Sequence, residues 1–486
     1  MTKFKRLNRI PTGIAGLDRL LGGGLFESGV YIVQGSAGAG KTIFANQICF
    51  HQAANQRQAI YYTLLTEAHD RMLGFLQGLA FVDPVQVSKG VKYVSGFKVL
   101  QAEGLIGMVR NIRDTLAQER TALIVVDGFV TAEEVAPSTT DLKKCLHELQ
   151  SIAAMFNCTM LLLTNTEKEQ PLHAEHTMVD GIFELGHQTV RLKPTRTLEV
   201  AKFRGAAQLG GKHTVVINDD GISVYPRIEL ILRSPTDMGR PQRENRRPFG
   251  IPVLDHAIGG GLIPSSNTML MGPSGVGKTV LGMHFLNAGA AAGEKGVLFS
   301  FFERPAEIVE KARRLGMEPL VRAIDSGAVE IVWESSVEAN VDIVVASLVS
   351  TFERLQPRRV VIDGMHGFQV TEDHPERIQD FFAALADFFM TRGTTLVFTA
   401  ESQDIVGDPI RPPFVNASRM CQNLLVLRFT EVGGHLARAI VVVKTRDADF
   451  DNGIRKFTIT ARGIEVEEAI EGRDGLLIGQ PRSCYG

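Results

Sequence analysis

The chain alternates between short apolar runs and stretches long enough for a helix. In the first half the runs YIVQ, AIYYTLL, VKYV, ALIVVD and CTMLLLT have strand length, with helix-length segments between them. That rhythm predicts parallel strands joined by crossover helices, an α/β fold whose ligands bind beyond the carboxyl ends of the strands. After Thr164 the runs TVRLK, TLEVAKF and HTVVI follow without helices between them, which predicts an antiparallel extension. The second half repeats this order, changing pattern after Thr399.

The repetition has the marks of a tandem duplication. IPTGIAGLDRLLGGG at 10–24 answers to RPFGIPVLDHAIGGG at 247–261, and Asp18 and Asp255 each stand 23 residues before a lysine, Lys41 or Lys278. Runs ending in Asp-Gly follow at Asp127 and Asp363, 86 and 85 residues after those lysines. A Lys-x-Arg then closes a strand-like run in each half, at Lys202 and Arg204 and at Lys444 and Arg446. The expected organisation is a domain over 1–230, a linker over 231–248 and a domain over 249–486. RSPTDMGRPQRENRRP within the linker is rich in Pro and Arg, and a solvated hinge or a subunit-packing segment is its simplest use.

At 486 residues the chain exceeds one ordinary core, in keeping with two domains. The 44% hydrophobic and 22% charged content is that of a globular protein. A formal net charge of −2 excludes an overall basic, nucleic-acid-binding character. The five cysteines form no C-x-x-C pair, so neither a zinc site nor a disulfide framework is indicated. No apolar run is long enough for a membrane span, and MTKFKRLNRI lacks the apolar core of a signal peptide. A cytoplasmic location is expected.

Chemistry concentrates at two loops. Gly35, Ser36, Ala37, Gly38, Ala39, Gly40, Lys41 and Thr42 spell the phosphate-binding pattern G-x-x-x-x-G-K-[ST]. Gly272, Pro273, Ser274, Gly275, Val276, Gly277, Lys278 and Thr279 spell it again. Each lies between a buried-strand run (Val30 to Val33; Thr268 to Met271) and a helical segment (Ile43 to Phe50; Val280 to Leu286). In that setting the backbone N–H groups turn toward phosphate oxygens and the helix N-terminus adds partial positive charge. The lysines would reach the β- and γ-phosphates of ATP, and the hydroxyls of Thr42 and Thr279 would ligate Mg²⁺.

Asp127 and Asp363 close buried runs, where a carboxylate is costly unless paired or bound to a cation, so they are expected to hold Mg²⁺. A helix N-cap is the bland alternative. Glu67 and Glu303 are the candidates for orienting and deprotonating the attacking water, although an acidic residue near a helix N-terminus has a simpler explanation in the helix dipole. Each Lys-x-Arg offers a guanidinium to the γ-phosphate of a neighbouring subunit, which requires a ring, or else is a plain surface cation pair.

The series PTGIAGLDRLLGGG, GSAGAGKT, IVVDG and KFRG, followed by its repeat, resembles the KaiC family of double RecA-like ATPases over nearly the whole chain. The resemblance implies two tandem RecA-like P-loop NTPase domains. It further implies a homo-oligomeric, two-tiered ring of six subunits with ATP and Mg²⁺ at the subunit interfaces. Lys202, Phe203 and Arg204, and likewise Lys444, Thr445 and Arg446, would then touch nucleotide held by the adjacent subunit.

Clock members of the family carry paired glutamates after the second strand; here Phe302 takes the first place and Glu303 the second, while Glu67 fits only with a one-residue shift. They also phosphorylate a Ser-Thr pair, of which Ser418 remains and Arg419 replaces the threonine; Asn-Ala-Ser before an apolar run is equally an ordinary start to a helix or strand. The tail after about Glu471 is short, which gives no support to partner binding through a long C-terminal extension.

The expected function is that of an ATP-hydrolysing regulator whose nucleotide state partner proteins read. Two rivals are a serine/threonine autokinase acting near Ser418 and a RecA- or RadA-like DNA-dependent ATPase. Against the latter stand the near-neutral charge and the lack of a recognisable DNA-binding appendage.

Overall fold

The computed structural model describes residues 8–66, 69–87, 89–165, 178–232 except 191–192 and 206–208, 245–335, 340–371, 377–402, 421–446 except 433–434, 449–469, 473–474 and 482–483. Its contacts gather into two units, Met1–Arg227 and Ile228–Gly486.

The first unit is built on nine strands: β1 (Val30–Gly35), β2 (Gln58–Thr63), β3 (Val91–Ser95), β4 (Thr121–Asp127), β5 (Thr159–Thr164), β6 (Gly181–Val190), β7 (Lys193–Phe203), β8 (Lys212–Asn218) and β9 (Gly221–Tyr225). They form one sheet in the order β3-β2-β4-β5-β1-β6-β7-β8-β9. Neighbours from β3 through β6 run parallel, and from β6 onward each pair is antiparallel.

The second unit repeats the plan with β10 (Asn267–Gly272), β11 (Gly296–Ser300), β12 (Val329–Trp333), β13 (Arg359–Asp363), β14 (Thr395–Glu401), β15 (Asn423–Val432), β16 (His435–Lys444), β17 (Arg455–Thr460) and β18 (Gly463–Ala469). Its order is β12-β11-β13-β14-β10-β15-β16-β17-β18, the same topology strand for strand. Six parallel strands again give way to three antiparallel ones.

Both sheets are covered on both faces, which is why the central strands read as unbroken apolar runs. Along β1, Tyr31 and Val33 enter one core while Val30 and Ile32 enter the core on the other side. In β10, Met269 and Met271 face one core and Leu270 the other. The loop-bearing strand is therefore central in each unit and held from four directions.

The antiparallel extension departs from the sequence reading in one detail. TVRLK, expected as one strand, is divided: β6 ends at Val190, β7 begins at Lys193 and residues 191–192 lie outside the described residues, while β6 itself begins at Gly181. Its residues, GIFELGHQTV, hide their strand character because two glycines and Glu184 interrupt the apolar signal. At Gly186 an added Cβ would lie 2.5 Å from Thr197 Oγ1 on β7, so a larger residue there would displace that hydroxyl.

The two units part after Arg227, slightly ahead of the expected 230. Ile228 and Leu232 bury in the second unit's core, and Glu229, 3% exposed, pairs with Arg377 at 2.9 Å. Of the expected linker, residues 233–244 lie outside the described residues. Its end, Arg247, pairs with Glu294 at 2.6 Å within the second unit.

Candidate functional site

The two glycine-rich loops leave the carboxyl ends of β1 and β10 and run into the helices Lys41–Ala54 and Lys278–Ala291. Gly38 and Gly40 have φ of 77° and 102°, and Gly275 and Gly277 have 74° and 117°, a left-handed region that side-chain-bearing residues resist. Four such angles at matching places give both loops the same turn.

The loop lysines fold onto their own loops. Lys41 Nζ donates to the carbonyls of Gly35 at 2.7 Å and Ser36 at 3.1 Å, and to Asn165 Oδ1 at 3.0 Å. Lys278 Nζ donates to the carbonyls of Gly272 and Pro273, both at 2.8 Å. Burial holds both ammonium groups below the ordinary lysine value. Asp127 opposes that effect on Lys41, and Glu401 and Asp363 oppose it on Lys278.

Upstream, the aspartates of the repeated lead-in have a structural task. Asp18 accepts from Thr12 N at 2.8 Å and Thr12 Oγ1 at 2.7 Å. Asp255 accepts from the backbone N–H groups of Phe249, Gly250 and Ile251 at 2.7, 2.9 and 2.9 Å. Each carboxylate thereby pins the loop that precedes its short helix.

Asp127 and Asp363 end β4 and β13, and each is nearly buried, at 8% and 5% exposure. Their surroundings differ. Asp363 accepts from Thr279 Oγ1 at 2.8 Å and from Thr399 Oγ1 at 2.7 Å. Asp127 accepts from Tyr61 Oη at 2.7 Å. Burial pushes the Asp363 carboxyl up, against the hydrogen bonds of Thr399 and Thr279. The contact between the P-loop hydroxyl and the strand carboxylate brings two hard oxygen donors together beside the phosphate loop. This donor set suits Mg²⁺, which takes one or two carboxylates, keeps several waters and shares substrate phosphates.

Glu303 stands just beyond β11, and its charge reaches Asp363. Its carboxylate is held by Lys311 from the following helix, Pro305–Arg314, with one N–O distance of 2.5 Å. Glu67 lies outside the described residues. The added Cβ positions at Gly128 and Gly364 would meet Leu65 and Phe302 respectively, so Leu65 matches Phe302 and the residue matching Glu303 is Thr66. Phe302 is itself 55% exposed.

The Lys-x-Arg pairs lie at corresponding points of the two extensions. Lys202 pairs with Ile182 and thus sits level with Ile32; Lys444 pairs with Leu424, level with Met269. Both are three residues short of their unit's first P-loop glycine. Arg204 and Arg446 are exposed, and Arg204 Nη1 lies 3.8 Å from Asp180 Oδ1. Lys444 Nζ donates to the carbonyl of Cys421 at 2.8 Å, and Thr445 is half-buried. The Phe203 ring is 7% exposed and stacks on Phe26 and Tyr31 with centroids 5.4 and 5.8 Å apart. Its side chain belongs to the core, which leaves only its backbone for a neighbour. Ser418 lies outside the described residues.

Sequence reading did not single out Tyr61, Thr399, Asn165 or Glu401. No motif marks them; the only available signal is that Asn165 and Glu401 follow their lysines at nearly equal distance, 124 and 123 residues.

Two copies of a P-loop at the centre of a mostly parallel sheet, each with an aspartate closing the buried strand two places along, define a tandem RecA-like P-loop protein. A family model described as "ATPase: KaiC" matches residues 10–229 and again 247–471. The chain belongs to this KaiC ATPase family. It is 24% identical over 489 residues to the circadian clock oscillator protein KaiC of Thermosynechococcus vestitus, covering 98% of this chain and 92% of the relative. Two proteins of a Synechocystis species are also similar. The circadian clock protein KaiC2 is 24% identical, with 98% and 84% covered, and KaiC3 is 22% identical, with 98% and 95% covered. Among the described residues no helix is long and apolar enough to cross a membrane.

Proposed function

We propose that the protein is an ATP-hydrolysing regulator of the KaiC type that works in the cytoplasm as a homo-oligomeric ring, a hexamer by family likeness, with ATP and Mg²⁺ at the subunit interfaces of both tiers. The observation that carries this reading is the placement of Lys202 and Lys444. Three residues along a strand amount to about 10 Å, so each pair is displaced down the sheet from its own loop. Recurring at the same point in both units, such cations suit a pocket on a neighbouring copy.

Within one pocket the loop N–H groups and Lys41 or Lys278 bind and orient the triphosphate. Thr42 with Asp127, and Thr279 with Asp363, would hold Mg²⁺, which when bound neutralises charge on the β- and γ-phosphate oxygens. Glu303 in the second unit, and in the first Glu67, one residue beyond the place that matches Glu303, would orient the attacking water. Arg204 and Arg446 would stabilise charge on a γ-phosphate bound next door. Regulatory proteins would read the resulting nucleotide state.

Subunit mixing tests the proposal. Arg204→Ala protein and Lys41→Ala protein should each lose first-unit hydrolysis, and a mixture should recover part of it because some interfaces then join an intact loop to an intact arginine. Failure to recover, in rings whose mixed composition native mass measurement has verified, would sink the shared-site reading. The same mass measurement, with and without ATP, gives the ring size.

A further inference from the structure

We propose that Tyr61 is a positioning residue that aims Asp127 at the metal of the first unit, a task that Thr399 performs for Asp363 in the second. The inference rests on reading the first P-loop as a pocket for ATP and Mg²⁺.

Tyr61 is fully buried on β2, beside β4. Register pairs Tyr61 with Val125 and Thr63 with Asp127, so Tyr61 lies one same-face step below the aspartate. From there its hydroxyl reaches Asp127 Oδ2 at 2.7 Å. Its ring packs on Tyr93, with centroids 5.5 Å apart. The Tyr93 hydroxyl donates to Asn46 Oδ1 at 2.8 Å, and Asn46 Nδ2 donates to the carbonyl of Thr42 at 2.9 Å. One network of three polar side chains thus touches both residues expected to face the metal.

In the second unit all three places are apolar. Leu298 stands for Tyr61, Ile331 for Tyr93 and Met283 for Asn46. The hydroxyl arrives from the opposite side instead, from Thr399 on β14 at 2.7 Å. Thr399 pairs with Leu270, two residues before the first glycine of its loop, and in the first unit that place belongs to Leu163, which pairs with Val33. The units have therefore exchanged a hydroxyl and a leucine across the aspartate. Mg²⁺ demands near-ideal octahedral geometry, so a carboxylate serving it must be held in one orientation. Each unit meets that demand with a hydroxyl from a different neighbouring strand.

The test uses the full chain in a Lys278→Ala background, so that only the first pocket binds a fluorescent adenine nucleotide, titrated with and without Mg²⁺. Tyr61→Phe should raise the Mg²⁺ concentration needed for tight binding by about tenfold while leaving Mg²⁺-free nucleotide affinity unchanged. Adding Leu163→Thr should recover part of the loss. An unchanged Mg²⁺ requirement, an equal loss with and without Mg²⁺, or no recovery on adding Leu163→Thr overturns the proposal.

Should Tyr61→Phe misfold, Leu163→Thr alone decides the matter: the added hydroxyl should lower the Mg²⁺ requirement, and no change overturns the proposal. The double variant Lys41→Ala with Lys278→Ala serves as control. Nucleotide still bound there would refute the pocket reading itself, a failure distinct from that of Tyr61.

Discussion

Lys41 Nζ donates to Asn165 Oδ1 at 3.0 Å, and the place that Asn165 takes in the first unit belongs to Glu401 in the second. Glu401 pairs with Gly272, the first glycine of its loop, and in the first unit β5 ends with Thr164 paired to Gln34, so Asn165 and Gly35 are the next residues along the two segments. A neutral amide can turn its NH₂ toward phosphate once the lysine has moved away. A carboxylate at the same spot repels phosphate while favouring the charged form of Lys278.

Glu401→Asn should accordingly strengthen ATP relative to ADP at the second pocket. Removing one like charge near the γ-phosphate is worth on the order of 1 kcal/mol, or about fivefold in the affinity ratio. Competitive titration in a Lys41→Ala background measures it. An unaltered ratio would mean that the carboxylate does not sense the third phosphate.

The lysine that holds Glu303 should restrain hydrolysis in the second unit. Lys311→Met frees the carboxylate and should raise second-unit turnover, whereas Glu303→Gln should lower it by about 10²–10⁴-fold. Phosphate release in a Lys41→Ala background reads both. Normal turnover in Glu303→Gln would remove this residue from the reaction.

His284 should make the second unit sensitive to acid. Burial lowers its pKa from 6.5 to about 4, and its neutral Nε2 accepts from Ile464 N at 2.8 Å. Between these two values the unfolded chain binds a proton that the folded chain does not. Stability is therefore complete above the unfolded value and falls as pH drops through the window, by about 3 kcal/mol in total. The first unit has Gln47 at the matching place, tied to Ile222 N at 2.7 Å and to the Ile222 carbonyl at 3.1 Å. His284→Gln should shrink the difference in melting temperature between neutral and mildly acid solution. A difference as large as before would show that another group controls it.

A partly buried Arg247–Glu294–Arg359 cluster should prove more sensitive at its carboxylate than at its deeper arginine. Arg359 is 2% exposed and meets Glu294 at 2.5 Å, while Arg247 meets the same carboxylate at 2.6 Å. Glu294→Ala leaves guanidinium charge inside without its counter-ion and should cost about 3–5 kcal/mol. Arg359→Leu supplies the residue type found at Leu123 in the first unit and leaves Glu294 with Arg247, so it should cost less. Chemical denaturation compares them, and a reversed order would refute this account.

The sequence by itself determined the duplication, the two phosphate loops, the parallel core with its antiparallel extension, and the aspartates that close β4 and β13. Those features are written in contiguous residues: a loop motif, a run of apolar positions, a constant offset from one landmark to the next. Only the tertiary structure decided that Tyr61 serves Asp127 while Thr399 serves Asp363, that Lys311 holds Glu303, that the Phe203 ring lies within the core, and that Asn165 and Glu401 flank the loop lysines. These depend on strand register and on side chains meeting from separate elements, where a step of one residue sends a side chain to the other face of the sheet. The same backbone plan thus fixes where the two pockets are, and side chains distant in sequence make them unlike.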